Sequence, residues 1–183
     1  MLLFLLIAGA GGWLVAEAFA LAAGGIGVFD GTLGTIALCV LAAGIFALKN
    51  ETGLARTGRV GIVLFSFGAM SFAMVLIITL TSGVLGAIAA GEITYGAMVW
   101  TPFYLLALAF MAGGLLALGL HYRDRPGMRP LAVVFGALAL IHIARLVAYD
   151  TFWLHRAAGV ATALTLAVIG IGKFSGKAAR GER

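Results

Sequence analysis

The chain has 183 residues, of which 63% are hydrophobic and 10% charged, with a formal net charge of +5. Soluble domains carry roughly 25% charged residues, and a single core of this size cannot shelter so much apolar surface from water; a water-soluble domain is excluded. The basic residues stand between apolar runs, where they orient a chain in a bilayer, so the positive balance does not point to nucleic acid.

A spanning helix needs about 20 apolar residues, and six runs reach or approach that length. The first covers about 2–24. Its Ala18-Phe19-Ala20 resembles a signal-peptide cleavage site, but the run is long and no Lys or Arg precedes it, so it reads as a span. Spacing of four puts Ala8, Gly12, Ala16, Ala20 and Gly24 in a small-residue stripe, against which another helix backbone can pack. Glu17 lies in the same helix, about 22 Å from its inner end. Residues from Gly24 to Gly31 read as a turn.

The second span is expected at about 32–48, followed by a polar loop with Lys49, Glu51, Arg56 and Arg59. The third is expected at 60–81, with Ser66, Ser71, Thr79 and Thr81 bonding to their own backbone or to a neighbouring helix. Residues 83–97 are broken by Gly83, Gly86, Gly91 and Gly96 and read as a loop or short interfacial helix. The fourth span is expected at 98–120, and Pro126-Gly127 marks the turn after it. Pro130 suits the first turn of the fifth helix, expected at 131–149, because its missing N–H costs little there. Asp150 to Trp153 read as a tight connection, and the sixth span, 154–172, leads into a basic tail.

Ten of the twelve Lys and Arg fall in the second loop, the fourth loop and the tail, while the other connections offer Asp30, Glu92 and Asp150. Cytoplasmic loops hold the excess of Lys and Arg. The expected architecture is therefore an all-α, polytopic bundle of about six transmembrane helices in a single domain, 1–183, with both termini cytoplasmic. Tyr95, Trp100, Tyr149 and Trp153 fall at the outer ends, where aromatic rings with a polar tip prefer to sit. The layout resembles small six-span proteins of bacterial inner membranes in composition and topology, and carries no motif that transfers an activity. A faint repeat relates two hairpins: Leu41-Ala42-Ala43-Gly44 echoes Met111-Ala112-Gly113-Gly114, and Phe67-Gly68-Ala69 echoes Phe135-Gly136-Ala137.

Arg145 lies at the same expected depth as Glu17, and charges inside a bilayer pair or face a cavity. A Glu17–Arg145 ion pair is expected. His142, Arg145 and Tyr149 share one face of the fifth helix, and Asp150, His155 and Arg156 stand at the same outer level. This outer cluster is the place to expect a ligand. No catalytic residue or metal site is expected, because HExxH, GxSxG, phosphate-loop and EF-hand patterns are absent. The single cysteine, Cys39, forms no redox pair.

Three functions follow, in order of expectation. The first is a non-enzymatic accessory or scaffold subunit of a larger membrane assembly, with lipids and other membrane subunits as partners. The second is a small transporter or a lipid- or quinone-binding protein using the outer cluster. The third, least supported, is a haem-bearing electron carrier with His142 and His155 as the pair of axial ligands. A bound lipid or pigment is the cofactor class that the apolar faces suit; haem is not favoured.

Overall fold

A computed structural model describes residues 1–50, 54–81, 102–148 and 151–179, and these are helices joined by short turns. The order is α1 (Leu2–Ala23), α2 (Val28–Gly44) continuing as a 3-10 helix (Ile45–Asn50), α3 (Arg56–Thr81), α4 (Pro102–Arg123), α5 (Arg129–Val147) and α6 (Phe152–Ala179). Six helices are long and apolar enough to cross a membrane.

The boundaries have local causes. α1 stops at Gly24, whose φ of 68° lets its N–H reach Leu21 O while the Gly25 N–H reaches Ala20 O. Glycine adopts that left-handed conformation without a Cβ penalty, and the two bonds satisfy carbonyls of the last turn. Phe29-Asp30-Gly31, expected to be a turn, is instead the start of α2. The Asp30 carboxylate accepts the Gly27 N–H at 2.8 Å, and an acid in the first turn also suits the helix dipole. α2 therefore begins at Val28, four residues earlier than 32. α3 and α6 likewise extend beyond 60–81 and 154–172, taking Arg56, Arg59 and Lys173 into the helices. Long basic side chains can cover apolar surface and still carry their charge outward. Residues 82–101 contain the segment 83–97 and the expected start of the fourth span; they lie outside the described residues, as do Tyr149 and Asp150.

Close approaches set each helix antiparallel to the next. A Cβ on Gly9 would stand 2.4 Å from Leu41 N, and one on Gly44 2.3 Å from Leu6 N, which fixes α1 against α2. Gly34 faces Leu76 of α3, and the Ser66 hydroxyl donates to Ala42 O of α2 at 2.9 Å. Gly61, Gly68 and Gly114 bring the backbones of α3 and α4 together, and Gly119 faces Ala132 and Phe135 of α5. α6 returns to α1, with Gly170 under Ile7. The helices thus form a ring around a core that includes Leu6, Trp13, Leu38, Phe65, Met111 and Phe135. One seam is different: α5 and α6 make far less contact than the other neighbouring pairs. Large apolar side chains such as Phe4, Phe67, Val133, Leu140 and Val168 cover the outside.

The small-residue stripe on α1 is corrected. Ala16 and Ala20 are buried and Gly12 is half-buried, but Ala8 and Gly24 are exposed, and the tight approach is made by Gly9. Four residues are more than one turn, so a strict spacing of four drifts about 40° per step around the helix. Five such positions do not stay on one face.

Candidate functional site

Most of the buried polar residues gather at one end of the ring, opposite the start of α1, and His121 is the exception among those described. The antiparallel order brings the ends of α1, α3 and α5 there, with the starts of α4 and α6.

Glu17 is 3% exposed. Its Oε2 accepts Arg156 Nη1 at 2.8 Å, and its Oε1 accepts the Trp13 indole N–H at 2.9 Å. Trp13 is one turn earlier on the same face, the spacing at which helical side chains meet. The carboxylate lies on Gly159, where a Cβ would come within 2.7 Å of Glu17 Cδ. The expected Glu17–Arg145 pair is thus replaced by Glu17–Arg156. Both residues are buried as expected, but matching depth leaves rotation open: α1 packs chiefly on α2 and α6, so it meets the arginine of α6.

Arg145 is 1% exposed. Its Nε donates to His155 Nδ1 at 3.0 Å, its Nη1 to His142 Nδ1 at 2.9 Å and its Nη2 to the Tyr104 hydroxyl at 3.3 Å. The guanidinium carbon stands 5.5 Å from the Phe72 ring centre and 5.8 Å from that of Tyr104. A guanidinium only donates, so both Nδ1 atoms act as acceptors. His142 must then carry its proton on Nε2, which reaches Thr162 Oγ1 at 3.0 Å, and the Thr162 hydroxyl donates to Ala158 O at 2.8 Å. The Tyr104 hydroxyl also bonds to His155 Nδ1. Every one of these acceptors is neutral. Among the described residues Arg145 meets no carboxylate, while Glu17 is taken by Arg156.

Of the expected cluster, His142, Arg145, His155 and Arg156 come together, and Tyr149 and Asp150 lie outside the described residues. Trp13, Phe72, Tyr104, Gly159 and Thr162 complete the site and were not anticipated from sequence. Two of them carried a readable signal. Trp13 precedes Glu17 by four, and Thr162 interrupts the apolar stretch from Ala157 to Leu164. Tyr104, at a helix start, reads equally as an interfacial ring.

This arrangement limits the chemistry. A metal-bound histidine offers one bare nitrogen and orients itself through the other. His142 has its acceptor nitrogen on Arg145 and its N–H on Thr162, a poor state for haem ligation. No group of three His, Cys, Asp or Glu among the described residues could hold a metal ion. What the site offers is a fixed positive charge between aromatic walls. At the opposite end, His121 is buried in the last turn of α4 over Gly58, and Cys39 faces outward on α2. Comparison of the chain with protein-family models, with curated proteins and with solved structures found no match.

Proposed function

We propose that this chain is a multi-pass protein of a bacterial inner membrane, with both termini cytoplasmic, that binds a membrane-soluble ligand of the lipid or quinone class at the Arg145 cluster. The observation that carries this reading is the fully buried guanidinium whose hydrogen bonds, among the described residues, go to two imidazoles and a phenol. Arginine cannot shed its charge, and buried charge inside a membrane bundle marks a substrate or ligand path by default. The membrane placement is supported by six apolar helices and an apolar outside. The orientation is supported by Arg56, Arg59, Arg123 and Lys173, which lie at the end where α1 starts. To test the reading, wild type and Arg145→Met are purified in mild detergent and their small molecules are extracted and weighed. Wild type should carry a defined compound that the variant lacks. Identical extracts from two folded proteins would contradict it.

A second reading, an accessory subunit of a membrane assembly, is favoured by α5, the least buried of the six spans. Val133, Ala137, Leu140, Ala144 and Val147 repeat at alternating steps of four and three along its exposed side, a pattern that suits left-handed packing of a partner helix. Gentle extraction that yields the chain alone would count against this reading.

A further inference from the structure

Resting on the ligand-binding reading above, we infer that the ligand is an acid: a singly charged oxyanion on an acyl chain, its head held by Arg145 between α5 and α6. The charge balance of the site selects it. Glu17 is matched by Arg156 at 2.8 Å. His142 and His155 accept from Arg145 at Nδ1 and so contribute no positive charge. One full positive charge on Arg145 is left without a carboxylate among the described residues. A neutral carbonyl head, such as that of a quinone, could accept a hydrogen bond but would leave that charge uncompensated. A single oxyanion cancels it.

The donors fit as well. Guanidinium has five N–H groups, and three are used by His155, His142 and Tyr104. Among the described residues two have no acceptor, and carboxylates and phosphodiesters are the groups that take paired guanidinium N–H bonds. Phe72 and Tyr104 line the guanidinium and keep water from screening the contact. The route is the seam between α5 and α6, where helix-to-helix contact is least and where the bridges are the side chains of Arg145 and His142 rather than interlocked glycines.

The test is thermal unfolding of the purified full chain in mild detergent, with four probes: oleate, methyl oleate, phosphatidylglycerol and a decyl quinone. Oleate near 100-fold over its dissociation constant should raise the midpoint by about 5–10 °C, and methyl oleate should not. A rise with phosphatidylglycerol in place of oleate would assign the oxyanion to a phospholipid head. Arg145→Met should fold and lose the rise, and Arg145→Lys should keep part of it. If Arg145→Met does not fold, the contrast between oleate and its methyl ester in wild type decides. Equal shifts with oleate and the ester would overturn the inference. So would a shift with the quinone alone, which would leave the ligand-binding reading standing, whereas no shift with any probe would remove both. Asp150→Asn should bind oleate as wild type does; binding seen only in that variant would mean that Asp150 occupies the place and would overturn the inference.

Discussion

The contact of α3 with α4 and the contact of α5 with α6 solve the same problem in opposite ways. Between α3 and α4, glycines remove side chains so that backbones touch: a Cβ on Gly114 would stand 2.6 Å from Phe65 N, and one on Gly68 2.7 Å from Met111 N. Between α5 and α6 the backbones stay apart, and long polar side chains bridge the gap through Arg145–His155 and His142–Thr162. Close packing of small residues is the usual source of attraction between helices in lipid. It gives a rigid, closed contact. Polar bridges hold less area and leave donors that a ligand can use. The comparison teaches where the ring is closed by backbone against backbone and where polar side chains alone close it.

The largest effect should come from unbalancing the charges beside the polar seam. Glu17→Ala removes the carboxylate from buried Arg156 and should cost about 3–5 kcal/mol, the usual penalty for breaking a buried pair. The double change Glu17→Met with Arg156→Met should recover most of that loss, since apolar replacement of a whole pair is often neutral. Urea or heat unfolding in detergent measures both, and a double variant as unstable as the single would sink the charge account. Next is Gly114→Ala in the closed contact, where the new methyl meets backbone that cannot swing away. A loss of about 1–3 kcal/mol is expected, and wild-type stability would show that α3 and α4 are not so close. Thr162→Val takes the acceptor from His142 Nε2–H and should cost about 1–2 kcal/mol, while Thr162→Ser should cost less than Val; an equal loss from Ser and Val in the same assay would argue against the hydrogen bond. The smallest effect belongs to Gly136→Ala in α5, whose Cβ position is open. It should be neutral or gain up to about 1 kcal/mol from helix propensity, and a clear loss would mean that this face of α5 is covered.

Much of this fold was legible in the sequence, because a run of apolar residues between charged loops is a direct statement about length and burial. Six helices follow from it, and Pro130 and Pro126-Gly127 take the places expected of them. Glu17, His142 and Arg145 were also legible, since an ionisable group inside an apolar helix stands out. The pairing was not. Glu17 and Arg145 agree in depth, but which neighbour a helix face meets depends on the order of helices around the ring, and composition does not encode that order locally. The same ambiguity defeats the internal echo: Phe67 is exposed and Gly68 touches Met111 and Ala107, whereas Phe135 is fully buried and the Cβ position of Gly136 is open. Matching letters there serve opposite purposes. Capping is a third case, because Asp30 reads as a loop residue until its bond to the Gly27 N–H is seen.

The most direct test of the central claim, that the end of the bundle around Arg145 is a ligand site, is native mass spectrometry of the chain extracted gently from its own membrane, with an absorption spectrum of the same sample. The account predicts one chain carrying a non-protein mass that is released on unfolding and is missing from folded Arg145→Met. A bare chain, or one whose only companions are other proteins, would contradict it.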